Sequence, residues 1–117
     1  MNISLPVVAD QYVRLINQSQ STDFMQLFSD RAIVEDAGKT IVGRDQIQKW
    51  CQSEIFDANV SLDVIDVAEQ NGGVVVKTLV DGNFDRTGLP DPLIIEQTIL
   101  IEGDKIVRLT CKLANSD

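Results

Sequence analysis

From Asn59 onward the hydrophobic period of this chain is of strand type, and that change limits the folds open to it. Before it, apolar residues recur at three- and four-residue spacing: Leu5, Val8, Tyr12, Leu15 and Ile16, then Ile47, Trp50, Cys51 and Ile55. That spacing gathers them on one side of a helix. After it, Val60, Leu62 and Val64 alternate with Ser61 and Asp63, and the runs Val74 to Val80, Leu93 to Ile101 and Ile106 to Leu113 read as strands. Helices first and a long antiparallel meander second is an α+β pattern, with the helices packed on one face of the sheet.

The turns divide the chain further. Ser4 is placed to cap the first helix, with Pro6 in its first turn, where a missing N–H removes no intrahelical bond. Asn17 to Ser21 ends that helix, and Thr22 can cap a short second one carrying Phe24, Leu27 and Phe28. Ile33 to Asp36 and Lys39 to Val42 form a hairpin about Ala37-Gly38, and Gly43 opens the third helix. Asn71-Gly72-Gly73 and Glu102-Gly103-Asp104-Lys105 are tight turns, and Asp81 to Asp91 is a loop.

With 117 residues the chain makes one domain. It carries 18 acidic against 10 basic side chains, so nucleic acid and anionic membranes meet net repulsion, and neither is expected as a partner. There is no histidine, which removes Ser-His and Cys-His nucleophilic schemes and His-rich metal sites. No metal or other cofactor is expected. Cys51 and Cys111 read as reduced, packed thiols. With no basic and apolar leader and no run of membrane-spanning length, the expected location is cytoplasmic. The last strands are apolar on both faces, Ile94 beside Ile95 and Leu100 beside Ile101. One face covers the helices, so a homodimer through the outer face is expected.

Four stretches carry a resemblance. They are Tyr12-Val13-Arg14-Leu15-Ile16-Asn17, Leu27-Phe28-Ser29-Asp30-Arg31-Ala32-Ile33-Val34-Glu35-Asp36, Gly43-Arg44-Asp45-Gln46-Ile47 and Asp104-Lys105-Ile106-Val107-Arg108-Leu109. In this order they resemble the nuclear transport factor 2-like superfamily, within it the SnoaL-like and ketosteroid isomerase-like branches. The resemblance implies a cone-shaped, curved antiparallel sheet packed around three N-terminal helices, enclosing a pocket for a small hydrophobic molecule. Tyr12 and Asp36 fall on the isomerase positions for a pocket tyrosine and acid, and Gln97 aligns with a third position that holds a carboxylic acid there. The implied roles are Asp36 as base, Tyr12 as donor to an oxyanion and Gln97 as a secondary donor through its amide N–H. The pocket wall is then expected to include Ile16, Phe28, Val34, Trp50, Phe84, Ile95, Ile99, Leu109 and Cys111.

Each residue also has a plainer reading. Asp36 precedes Ala37-Gly38, where an aspartate can serve the turn. Tyr12 lies on the apolar helix stripe and can simply pack there. Gln97 shares strand parity with Leu93, Ile95 and Ile99, which points it either into the cavity or to a cross-strand hydrogen bond. Trp50 suits core or pocket wall. Asp85, Arg86 and Asp91 either edge the pocket mouth or are solvated turn residues. Two functions stay open: proton transfer beside the carbonyl of a hydrophobic ligand, and noncatalytic binding or dimerisation on the same fold.

Overall fold

The computed structural model describes residues 6–85 and 87–114; Ser4, Leu5 and Arg86 lie outside them. Helix α1 (Val7–Asn17) starts behind Pro6, which sits at the capping position just ahead of the first turn. Its stripe of Val8, Ala9, Tyr12, Val13 and Ile16 is buried. Helix α2 (Ser21–Met25) is one short turn that starts after Gln20, so Thr22 lies within it instead of capping it.

Phe28 does not belong to that helix: it opens strand β1 (Phe28–Asp36). Leu27 N–H closes a three-residue turn on Phe24, and the Leu27 carbonyl then accepts from Ile106 N–H at 2.7 Å. Pairing with the far end of the chain thus outcompetes one more turn of helix. The polar run Ser29-Asp30-Arg31 hides these first strand residues from a hydrophobicity argument, because they face mostly outward.

Strand β2 (Lys39–Val42) returns antiparallel to β1, with Ala37 and Gly38 at φ 51° and 80° between them. Two positive φ values in a two-residue loop match the twist of a hairpin. Helix α3 (Arg44–Cys51) follows Gly43 and runs into a wider π-type turn, Gln52–Phe56. Strands β3 (Ser61–Gln70), β4 (Gly73–Asp81), β5 (Ile94–Glu102) and β6 (Lys105–Leu113) complete the order.

The sheet runs β2-β1-β6-β5-β4-β3. The meander β3 to β6 is antiparallel throughout, and one parallel pair, β1 with β6, joins it to the hairpin. Register shifts at Val64/Asp66 in β3 and at Leu100/Ile101 in β5 add local twist, which lets the sheet curl over the helices. Gly73 allows a close approach within it: a Cβ there would lie 2.1 Å from the Ile99 carbonyl oxygen.

The core fills the concavity. Phe24 stands at its centre, 5.5 Å from Tyr12, 5.2 Å from Phe28 and 5.4 Å from Phe56 between ring centroids. Tilted and edge-on contacts of this kind add to the burial term. No described helix is long and apolar enough to cross a membrane.

Asn17 ties α1 to the edge of the sheet. Its Nδ2 donates to the Leu62 carbonyl at 2.9 Å, and Leu62 N–H donates to its Oδ1 at 2.7 Å. The side-chain amide therefore stands in for a neighbouring strand beside β3. Asn17→Ala strands both backbone groups, and urea denaturation is expected to show a loss of about 2 kcal/mol. A loss within error of zero would mean that water replaces the amide at no cost.

Candidate functional site

Strand register decides which residues reach the open end of the cone. On the inner face, Asp36 is beside Cys111, Cys111 beside Gln97, and Gln97 beside Val76. These four form one rung across β1, β6, β5 and β4. The rung below it is Val34, Leu109, Ile99 and Val74, all fully buried. The rung above brings Leu113, Ile95 and Thr78 together.

A cavity of about 690 Å³ begins at the Asp36–Cys111–Gln97 rung. Tyr12 and Ile16 from α1, Trp50 from α3 and Phe84 from the β4–β5 connection join the wall, with Ile95 beside them. Ile55, Val60, Leu62, Val80, Leu93 and Leu113 complete the apolar lining. Exposed residues, among them Ala37, Gly38, Glu54, Asp85, Leu89 and Lys112, edge the opening.

Eight of the twelve residues picked from the sequence thus meet at one cavity: Tyr12, Asp36, Gln97, Ile16, Trp50, Phe84, Ile95 and Cys111. Four do not. Val34, Ile99 and Leu109 lie one rung too deep, where the helices close over them, and Phe28 belongs to the aromatic cluster around Phe24. Asp85 reaches the cavity edge, where its carboxylate also accepts from Thr87 N–H at 2.9 Å, whereas Asp91 is not on the wall.

Asp36 serves more than a turn. The Trp50 indole N–H donates to its Oδ2 at 2.9 Å, so α3 orients the carboxylate at the end of β1. Tyr12 is buried, and its phenol is held well above the usual range, first by burial and then by the neighbouring Cys111, Asp36 and Cys51. It therefore stays a neutral O–H donor at any physiological pH. Burial, and then the Asp36 charge, push the Cys111 thiol up, so this cavity-facing sulfur is a neutral and poorly nucleophilic group. Cys51, on the buried side of α3, is pushed up to about 11 by burial.

Gln97 is 4% exposed, and its amide is engaged within the sheet. Thr78 Oγ1 lies 3.2 Å from the Ile95 carbonyl oxygen, which can only accept, so the single hydroxyl proton is committed there. Toward Gln97 the hydroxyl can then only accept, and it takes a bond from Nε2 at 3.0 Å. The amide orientation is fixed by this chain of bonds. Gln97 Oε1 finds no protein partner among the described residues. One of the two amide N–H groups is thus spent inside the sheet, and the buried oxygen is left without a protein partner. The signal for Thr78 was absent from the sequence, where it reads as an ordinary strand residue.

Of the ionisable residues on the wall, Asp36, Glu54 and Asp85 are acids and Lys112 is a base, so the opening favours neutral or cationic ligands over anions. Among the described residues, no three His, Cys, Asp or Glu side chains cluster closely enough to hold a metal ion.

No family model and no curated protein matches the sequence. Solved structures do resemble it. A candidate polyketide cyclase from Sinorhizobium meliloti superposes with a TM-score of 0.82 at 20% identity, covering 92% of this chain and 95% of its own. A protein of ketosteroid isomerase-like fold from Catenulispora acidiphila, in complex with trimethylamine, gives 0.78 at 18% identity over 97% of this chain and 89% of its own. A Mycobacterium tuberculosis protein in complex with estradiol-17β-hemisuccinate gives 0.73 at 10% identity over 93% and 92%. The chain has the nuclear transport factor 2-like fold shared by polyketide cyclase-like and ketosteroid isomerase-like proteins.

Proposed function

We propose that this chain is a small-molecule pocket protein that binds an apolar, carbonyl-bearing ligand and moves a proton beside the carbonyl. The observation that carries the reading is the meeting of Tyr12, Asp36 and Trp50 on the wall of one apolar cavity, with the carboxylate oriented by the indole. Asp36 takes the proton from the carbon next to the carbonyl. Negative charge then builds on the carbonyl oxygen, where the neutral Tyr12 hydroxyl donates a hydrogen bond. The protonated carboxyl can return the proton to another carbon of the same conjugated system, which completes an isomerisation without any added reactant. The small molecules bound by the Catenulispora and Mycobacterium neighbours support use of the cavity as a ligand site. The two free thiols fit a reducing, cytoplasmic setting.

A second reading, a noncatalytic binding module, is favoured by one observation. Gln97 stands where the isomerase-like pattern has a carboxylic acid, and one of its two amide N–H groups is spent on Thr78. An amide N–H matches an enolate less well than a carboxylic acid does, so turnover is slow, and binding does not require turnover.

Binding is tested through Trp50, the only tryptophan in the chain and part of the wall. Titration with 2-decalone, a bicyclic ketone, is expected to change Trp50 emission with saturation. Emission that stays constant up to the solubility limit, together with no small molecule retained through purification by mass spectrometry, would remove both readings.

A further inference from the structure

We propose that the cavity takes an apolar ligand carrying one ammonium group, with the Asp36 carboxylate as its counter-ion. The inference rests on the cavity being a ligand site and goes beyond proton transfer, since such a ligand needs no turnover. Its ground is an oriented carboxylate for which the protein supplies no cation. Asp36 is on the cavity wall and only half-buried. Its charge acts on the Tyr12 phenol and the Cys111 thiol, two other wall groups, which puts the carboxylate on the cavity side of β1. One oxygen accepts from the Trp50 indole at 2.9 Å, and a carboxylate has room for further donors.

Among the described residues, no lysine or arginine pairs with Asp36. Arg44 pairs with Asp30, Arg108 with Glu35 and Lys112 with Glu96. Lys112 edges the cavity but is exposed and 4.0 Å from Glu96, while Lys39, opposite Asp36 in the hairpin, is exposed and off the wall. A half-buried carboxylate with one neutral donor gains from a positive partner, because their attraction is stronger beside an apolar wall than in water. An ammonium brings that charge and its N–H donors together.

The ammonium loses hydration as it enters, and the Asp36 charge offsets that loss. Position limits it as well. Ala37 and Gly38, next in the chain, edge the opening, so N–H groups turned away from the carboxylate still meet water. Tyr12, Trp50 and Phe84 are on the same wall, and aromatic faces attract cations where water is scarce. Glu54 and Asp85 at the edge, with the formal net charge of -8, raise the concentration of any cation near the opening. Asp36 is the acid that selects within. A neutral alcohol can donate one hydrogen bond to it but brings no charge.

The test uses 1-adamantanamine, protonated at neutral pH, and 1-adamantanol, which match in size and differ in charge. Isothermal titration calorimetry gives the ratio of amine to alcohol affinity for the full chain and for Asp36→Asn and Glu54→Gln. The parent protein is expected to bind the amine at least about tenfold more tightly, and the ratio is expected to fall to near one in Asp36→Asn. In Glu54→Gln it falls less than about threefold, since an exposed edge acid adds only to a screened field. Nuclear Overhauser contacts between the adamantane protons and the Trp50 ring in the parent protein are expected too, and this measurement does not depend on a variant folding. Equal affinity for the two probes, a ratio kept in Asp36→Asn, an equal loss in the two variants, or bound amine without contact to Trp50 overturns the assignment. The pocket reading stands in each of those cases if the alcohol or 2-decalone binds. Failure of both probes and of 2-decalone to bind overturns the two together.

Discussion

Asp36→Asn is expected to slow the conversion of cyclohex-3-en-1-one to its conjugated isomer by about 10² to 10⁴-fold, the usual contribution of a positioned general base. The substrate is small, neutral and apolar, and it carries an acidified C–H between its carbonyl and its double bond. Proton removal by the carboxylate gives a dienolate whose charged oxygen faces the Tyr12 hydroxyl, and reprotonation at the far carbon yields the enone. The growth of its ultraviolet absorbance gives the rate. Asparagine keeps the size of Asp36, and its amide oxygen can still accept from the Trp50 indole N–H, which the carboxylate does at 2.9 Å. The fold and the cavity wall should therefore survive the change, as an unaltered urea midpoint would show. Only the proton acceptor is lost. An unchanged rate in the variant, or no rate above background in the parent, would exclude Asp36 as a base and leave the binding module.

The same contacts show how much of the site the sequence could disclose. Strand parity identified the inner face of β5 correctly, since Ile95, Gln97 and Ile99 alternate with outward residues. Parity says nothing of depth. Ile95 and Ile99 share that face, yet one borders the cavity and the other is closed off, because depth depends on where α1 and the aromatic cluster around Phe24 meet the sheet. The orientation of Gln97 was hidden for a related reason. Which end of an amide is engaged within a sheet is settled by its partner, and here the partner is Thr78, brought close by the register of β4 with β5. The beginning of β1 was obscured because Ser29-Asp30-Arg31 are outward residues of a strand whose pairing partner, Ile106, is distant in sequence. Turn chemistry was the most readable layer. Ala37-Gly38 and Asn71-Gly72 lie between strands as expected, since positive φ is a local demand that a few residue types answer.

The stability of the protein should fall steeply as pH rises from about 9 to 11, and the cause lies around the cavity. Tyr12, Cys51 and Cys111 are held neutral in the folded state, with pKa values above their ordinary ranges. Burial is the first cause in each case, and the Asp36 charge adds to it at Tyr12 and Cys111. In the unfolded chain these groups return to ordinary values, about 8.5 for a thiol and about 10 for a phenol. Above those values the unfolded chain has released protons that the folded chain still holds. Stability is therefore complete below the unfolded values and declines with rising pH until the folded value is reached, for Cys51 about 11. Each group contributes about 1.4 kcal/mol per pH unit while the gap lasts. The two thiols act in the same direction across this window, so their effects add. Urea denaturation at pH 8, 9, 10 and 11 measures the slope. Replacing both cysteines with alanine lowers stability at pH 8 through lost packing, but it should flatten the curve above pH 9, and that change of slope separates thiol ionisation from repulsion among the surface acids. The sole tyrosine supplies an independent check: absorbance near 295 nm should show no tyrosinate until the chain unfolds. A slope equal in the parent and the double variant, or a phenol that titrates near 10 in the folded protein, would mean that water reaches these groups, and the cone would then be far more open than its packing indicates.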